Sequence, residues 1–259
     1  MNWNRIGRQV LAGLTAVLAA GLMSSRAGAA PLSAPPVVTV SVTSGYDYYA
    51  FEGAATTLPD GSLTVQDHPK RDNDFDCDWK FTINPDPSIS GTFKLTNLAT
   101  STQSFVMSIT LPVAALIAPT QMGGSVGTIT LLDSNGLGFV TQDGSATLET
   151  NGGVPLYQAQ IDGNTVTPLV GALSLPACCG NGASASFGQV AFGTPIPSAT
   201  GPAVNSSIGI HVELTLTAGD HAEIPVLFRV EGQTPEPASL SLLGFAGAAL
   251  VALRRRLAA

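Results

Sequence analysis

Apolar and polar residues alternate in short stretches through the middle of the chain. A period of two turns one side of an extended segment toward a core and the other toward solvent, which predicts strands rather than helices. The stretches are residues 37–42, 91–96, 104–109, 126–132, 156–161, 184–192, 208–216 and 224–230. Turn-forming sequences such as Asp143-Gly144 and Asp162-Gly163-Asn164 separate several of them. Residues 112–119, an apolar run between two prolines, favour either one short helical turn or a crossing loop.

Many short strands separated by turns are typical of an all-β domain. We therefore predict an antiparallel β-sandwich or jelly-roll-like ectodomain over residues 30–230. Neither half of this range has enough strands to close a sandwich alone, so the prediction is for one domain. A linker would follow from residue 231.

The first residues of the chain have the pattern of a secretory signal peptide. Arg5 and Arg8 precede an apolar run at residues 10–23, and the small residues Ala27-Gly28-Ala29 follow it. We predict a signal peptide at residues 1–29, with signal peptidase cutting before Ala30. The run is short for a membrane span of about 20 residues, which favours cleavage over anchoring.

A second apolar run lies near the other end, at residues 238–253, and contains no charged residue. Pro235-Glu236-Pro237 precedes it, and Arg254, Arg255 and Arg256 follow it directly. Because the run has no polar face, we predict a transmembrane helix. Positive charges that follow a membrane helix stay in the cytoplasm, so the arginines predict a cytoplasmic C-terminus with the ectodomain outside. Residues 231–259 thus form a linker, a helix and an arginine cluster.

These residues resemble the PEP-CTERM sorting domain. The resemblance covers about the last tenth of the chain and implies an exported protein of a Gram-negative bacterium that an exosortase processes. Sorting residues by this resemblance are Pro235, Glu236, Pro237, Arg254, Arg255 and Arg256. It further implies transient anchoring in the inner membrane, then release to the cell surface or exterior, in bacteria that form biofilms and make exopolysaccharide.

Composition narrows the classes of function. The chain of 259 residues has a net charge of −7 and only 11% charged residues, against about 25% in ordinary globular domains. Such a chain lacks the basic patch that a nucleic-acid binder needs, so we expect no nucleic-acid partner.

The cysteines of the exported part are Cys77, Cys178 and Cys179. Disulfides can form in exported proteins, because the exterior is oxidising. Three cysteines are an odd number, so one thiol remains unpaired within the chain. Joining Cys77 to Cys178 or Cys179 would close a long loop and stabilise by about 4 kcal/mol in the chain-entropy model. A bond between the adjacent pair would stabilise little. We expect a cross-link from Cys77 to one of the pair.

Four carboxylates at a spacing of two form the densest charge in the chain: Asp72, Asp74, Asp76 and Asp78. In a loop, the first three could bind calcium, with Asp78 as an outer ligand. An EF-hand is excluded, because Cys77 and Ile83 occupy the positions of its glycine and glutamate. The alternative is a solvated acidic edge strand that blocks pairing between sheets. No other cofactor is expected.

No catalytic group of residues stands out in the sequence. Gly123-Gly124-Ser125-Val126-Gly127 fits the nucleophile-elbow pattern, but the elbow needs a helix after the serine, and a strand is predicted there. We interpret it as a glycine-rich turn. The histidines His68, His211 and His221 show no metal-ligand spacing. His211 should face solvent beside Glu213.

The sequence therefore predicts a non-enzymatic surface or matrix protein with a structural or adhesive role. The alternative is a carbohydrate- or exopolysaccharide-binding module on the same fold, since the aromatic residues Tyr46, Tyr48, Tyr49 and Phe51 lie close together. Alternation would place Tyr46 and Tyr48 on one face of a strand and Tyr49 and Phe51 on the other.

Overall fold

The structure is a computed structural model. It describes residues 37–45, 47–54, 56–59, 61–71, 74–84, 87–133, 145–178 and 182–233. The predicted signal peptide and the predicted membrane helix lie outside these residues. The described residues all belong to one compact unit.

Strands form nearly all of the regular structure in the described part of the chain. The first ten are β1 (Val37–Thr43), β2 (Tyr48–Ala54), β3 (Thr56–Thr57), β4 (Leu63–Asp67), β5 (Lys70–Arg71), β6 (Phe75–Asn84), β7 (Ser88–Asn97), β8 (Gln103–Pro112), β9 (Ile117–Val126) and β10 (Ile129–Leu132). They are followed by β11 (Ser145–Glu149), a short 3₁₀ helix (Asn151–Gly153), β12 (Tyr157–Ile161), β13 (Asn164–Leu169), β14 (Ser174–Cys178), β15 (Ser184–Phe187), β16 (Val190–Phe192), β17 (Ala199–Gly201), β18 (Ser207–Leu216) and β19 (His221–Gln233).

The strands form two antiparallel sheets. The first, which we call sheet A, has the order β13-β12-β18-β8-β1-β2, with β11 pairing β18 and β14. The second, sheet B, has the order β15-β10-β19-β7-β6-β4-β3, with β9 beside β19 and β5 beside β6. The all-β prediction is confirmed.

Alternation along the strands produces the core between the sheets. In β8 the inward side chains Phe105, Met107 and Ile109 are fully buried, and the side chains between them are partly exposed. The rings of Phe105 and of Phe75 in sheet B meet edge to face, with 6.4 Å between their centres. Such aromatic contacts bury large apolar areas and hold the two sheets face to face.

One buried hydroxyl also joins the sheets. Tyr157, on β12 of sheet A, donates a hydrogen bond of 2.9 Å to the carbonyl of Leu227 on β19 of sheet B. The hydroxyl occupies the space above Gly124, where a Cβ atom would lie 2.8 Å from the tyrosine oxygen and 2.7 Å from the Leu227 carbonyl. A glycine is therefore required at this point of β9.

Several predicted stretches are strands with slightly different limits. Residues 37–42, 91–96, 104–109, 208–216 and 224–230 lie in β1, β7, β8, β18 and β19, and the stretch 156–161 begins one residue before β12. The predicted stretches 126–132 and 184–192 are each divided between two strands, because the chain leaves the sheet at residues 127–128 and 188–189.

Of the two alternatives predicted for residues 112–119, the structure shows the crossing loop at residues 113–115, and β9 already begins at Ile117. Two expectations differ from the structure. The acidic strand β6 is not at an edge, because it pairs with β7 on one side and with β4 and β5 on the other. Residues 231–233 belong to β19 rather than to a linker, since Gln233 still pairs with Ile117.

The strand directions give the domain two distinct ends. We call the end that holds the β1–β2 and β18–β19 turns the tip, and the end that holds Pro112, Ile117, Ser207 and Gln233 the base. The chain thus leaves the described domain at its base.

Asn97 fixes the loops at the tip. Its side chain is fully buried and donates hydrogen bonds to the carbonyls of Ser101, Leu216 and Thr217, at 3.0, 2.9 and 3.1 Å. Its carbonyl accepts from the backbone N–H of Ala99 at 2.9 Å. One side chain therefore joins the end of β7 to the end of β18.

Candidate functional site

Four polar side chains meet at the tip, and we call Asp47, Tyr49, Asp67 and Arg71 the tip cluster. The Asp47 carboxylate lies 3.1 Å from Nε of Arg71. The Arg71 guanidinium stands over the Tyr49 ring, 5.2 Å from its centre, in a cation–π contact. The Tyr49 hydroxyl donates a hydrogen bond to Asp67.

Local hydrogen bonds set the position of Asp47. The Ser44 hydroxyl accepts from the Asp47 backbone N–H at 2.9 Å, and the Asp47 carboxylate accepts from the N–H of Tyr48 at 2.8 Å. Such side-chain-to-backbone bonds are the usual way in which serine and aspartate close a turn. The turn thereby holds the carboxylate toward Arg71.

The environment of Tyr49 keeps its phenol protonated. The hydrogen bond to Asp67, burial and the negative charge of Asp67 raise its pKa, against an opposing effect of Arg71. Tyr49 is therefore a fixed hydrogen-bond donor whose ring packs on Trp79, with 5.9 Å between ring centres. Beside it, Tyr48 is 58% exposed.

The aromatic residues divide as the alternation predicted. Tyr48 is exposed, whereas Tyr49 and Phe51 pack against the core. Tyr46 lies outside the described residues. Asp67 and Arg71 were missed as partners of this group, because they belong to different strands and nothing in the local sequence marks them as neighbours of Tyr49.

The acidic run does not form an open loop where the structure describes it. Asp76 and Asp78 lie on the outer side of β6, and Asp76 is bound by His68 Nε2 at 2.8 Å and Lys70 Nζ at 3.7 Å. Asp74 is 6% exposed and accepts a hydrogen bond from Ser44, while its Oδ1 atom has no hydrogen-bond partner among the described residues. Asp72 lies outside the described residues.

Within the described ranges, no group of three or more His, Cys, Asp or Glu side chains could hold a metal ion. Calcium binding by Asp72, Asp74 and Asp76 with Asp78 stays a prediction. If the site exists, calcium at ten times its dissociation constant should stabilise by about 1.4 kcal/mol, or about 3–6 °C in melting temperature.

Thermal melts with calcium and with a chelator measure this effect. Asp74→Ala should abolish the shift, and Glu52→Gln, on the other sheet, should leave it intact. No shift at several millimolar calcium, or a full shift in Asp74→Ala, would contradict the prediction.

Cys77 is fully buried in the core, where burial raises its pKa above the ordinary thiol value. It is a free thiol with respect to the described side chains. The backbone of Cys178 pairs with Ser145 in sheet A. The cross-link stays a prediction, because the Cys178 side chain and Cys179 lie outside the described residues.

The serine of the nucleophile-elbow pattern is part of a strand. Ser125 is 6% exposed within β9, where it pairs with Leu227 and Ala191. The strand β10 follows two residues after β9, so the helix that an elbow requires is not there. The expected glycine-rich turn is also wrong, because Gly124 lies within the strand β9. A glycine is needed there because Tyr157 and the Leu227 carbonyl approach the backbone closely.

The three histidines lie in separate environments. His211 lies on the outer, partly exposed side of β18 beside Glu213, as predicted. Its Nδ1 is 2.9 Å from the Ser108 hydroxyl, and its Nε2 is 3.6 Å from Glu213. His221 Nδ1 is 3.0 Å from the Thr96 hydroxyl, and burial lowers its pKa.

The described domain is an all-β unit that continues from its base into a short motif. Residues 233–256 match the PEP-CTERM protein-sorting motif, which confirms the resemblance noted in the sequence. The motif marks an exported protein that an exosortase processes. No curated protein matches the chain.

The residues assigned to sorting all fall within the matched range: Pro235, Glu236, Pro237, Arg254, Arg255 and Arg256. They lie outside the described residues. No helix in the described part of the chain is long and apolar enough to cross a membrane, and the helix predicted at residues 238–253 lies beyond it.

Proposed function

We propose that the chain is a non-enzymatic component of the cell surface or extracellular matrix of a Gram-negative bacterium, with a structural or adhesive role. One observation carries the proposal: the strand β19, in the interior of sheet B, runs without a break to the residue at which the sorting motif begins. Processing at the motif therefore acts on a chain that carries this all-β domain.

The export route follows from the two ends of the chain. Signal peptidase removes residues 1–29, and the helix at residues 238–253 then anchors the protein in the inner membrane with the arginines in the cytoplasm. Exosortase processing follows, and the domain reaches the surface or the exterior.

The pairing of charges at the tip supports a role without catalysis. A general acid or base usually sits in a cleft with a pKa shifted toward its task. Here Asp47 is paired with Arg71, Asp67 accepts from Tyr49, and Asp76 is bound by His68. These contacts hold the side chains in place rather than prepare them for proton transfer.

Exopolysaccharide binding is the second candidate. Sugars bind to exposed aromatic rings that stand beside polar groups, because a ring covers their C–H faces while charged groups bind their hydroxyls. The observation that favours it is Tyr48, which is 58% exposed and directly follows, in the chain, the Asp47 that pairs with Arg71.

Complementation of a deletion strain tests both candidates. Loss of the chain should weaken cell–cell cohesion, and the intact chain should restore it; an unaffected deletion strain would contradict both proposals. A variant with Tyr48→Ala and Arg71→Ala should restore cohesion fully if the role is structural. If polysaccharide binding carries the role, this variant should fail, and the purified protein should lose its retention on host exopolysaccharide.

Thr82→Ala, on the exposed outer side of β6, is the matched control. It should restore cohesion and leave any retention unchanged.

A further inference from the structure

The two edges of sheet A are protected to different degrees. At one edge, β13 contains Pro168, and its pairing with β12 shifts register between Ala159 and Gln160. Proline and register shifts are the devices by which natural sheets prevent pairing with another chain. At the other edge, β2 pairs in regular register with β1, from Val37↔Ala54 to Thr43↔Tyr48, and contains neither device.

The strand β2 also lacks lysine and arginine, and three of its seven residues are aromatic. Each residue of an edge strand carries an N–H donor and a C=O acceptor, and on alternate residues these groups point away from the sheet. Among the described strands, β2 has only β1 as a partner. No strand in the described part of the chain pairs with its other side, which can therefore accept a further strand.

Side chains line this edge on both faces of the sheet. Tyr48, Ala50 and Glu52 are exposed on the outer face, while Tyr49 and Phe51 are partly buried on the inner face. Phe51 also lines a cavity of about 250 Å³, together with Thr56, Thr64, Val65 and Gln66. The edge of sheet A at β2 thus has both apolar side chains and a cavity beside them.

The sequence of β2 is complementary to itself in one antiparallel register. When Ala50 lies opposite Ala50 of a second copy, Tyr49 lies opposite Phe51, and Tyr48 lies opposite Glu52, each pair occurring twice about the two-fold axis. Opposed aromatic residues stabilise antiparallel strands, and a tyrosine hydroxyl can donate to a carboxylate. The two Glu52 carboxylates do not face each other, so no like charges are opposed.

We propose that β2 pairs with β2 of a second copy of this chain, in the register that places Ala50 opposite Ala50. The pairing joins the two copies of sheet A into one continuous sheet across a two-fold axis. It leaves the base of each domain, from which the sorting motif continues, outside the interface.

Cysteine cross-linking of the full chain in its host tests the pairing and its register. In Ala50→Cys the two new thiols face each other within disulfide range, about 4.5–5.5 Å between Cα atoms. Oxidation by copper phenanthroline removes two electrons and two protons and forms the bond. We expect most of the protein to migrate as a dimer on a non-reducing gel and as a monomer after reduction.

Glu52→Cys is the matched control on the same strand and face. Position 52 faces position 48 of the partner, about 13 Å along the strand from the partner's position 52 at about 3.3 Å per residue. This variant should give no more dimer than the parent chain, whose own cysteines set the background. The double variant with Tyr48→Cys and Glu52→Cys should cross-link.

A second measurement needs no oxidation. Ala50→Lys opposes two ammonium groups and should make the detergent-extracted chain sediment as a monomer, whereas Thr165→Lys on β13 should leave the dimer intact. A monomeric parent chain would overturn the proposal. So would cross-linking in Glu52→Cys but not in Ala50→Cys, because this result requires a different register.

Discussion

Replacing Asn97 with leucine should lower the free energy of unfolding of the domain by about 3–5 kcal/mol. The buried amide donates to the carbonyls of Ser101, Leu216 and Thr217 and accepts from the N–H of Ala99. Leucine has the same branched arrangement of side-chain heavy atoms but satisfies none of these groups, and each buried group left without a partner costs about 1–3 kcal/mol. The total is a large share of the 5–15 kcal/mol by which typical domains are stable.

Urea unfolding of the domain spanning residues 31–235, which is one compact unit, measures this loss. Asn164→Leu makes the same change at an exposed turn and should alter stability by no more than about 0.5 kcal/mol. Equal stability of the two variants would show that Asn97 does not hold the tip together.

The largest effect on sorting should come from ending the chain at Gln233. This truncation keeps every described strand, since β19 ends there, and removes the sorting motif apart from its first residue. The domain should still be exported and fold, but it should be found in the soluble fraction instead of passing through the inner membrane. Membrane fractionation of cells that produce the full and the shortened chain measures the difference.

Two further chains complete this test. Neutral residues in place of Arg254, Arg255 and Arg256 should weaken both the orientation signal and the membrane stop and cause misprocessing, because these charges set the orientation of the predicted helix. A chain that ends at Asp220 lacks β19 and should be degraded. Identical fractionation of the full chain and the chain ending at Gln233 would contradict the sorting assignment.

The regular strands could be predicted from the sequence because their patterns are local. In β8 and β18, nearly every second side chain is apolar and buried, so alternation alone indicated both strands and their inward faces. The strand β6 follows the same rule, with Phe75, Cys77 and Trp79 inward. Its outward Asp76 and Asp78 instead favour, from sequence alone, an acidic edge strand or a calcium-binding loop.

The strand β9 could not be recognised in this way. It contains glycines and Pro119, and its buried residues follow one another instead of alternating, because neighbouring strands and Tyr157 cover it closely. The tip cluster was missed for a different reason. Asp67 and Arg71 belong to other strands than Tyr49 and reach it only when the sheets have formed. No short stretch of sequence therefore indicates that the three residues are neighbours.

The position of β19 has a mechanical consequence. The strand is bonded to β7 over residues 221–229 on one side, and to β10 and β9 on the other. Antiparallel hydrogen bonds run perpendicular to the strand, so tension applied at Gln233 pulls along β19 and loads these bonds together in shear. A force transmitted through the C-terminal tether must therefore break many bonds at once, whereas a peeling force would break them one by one.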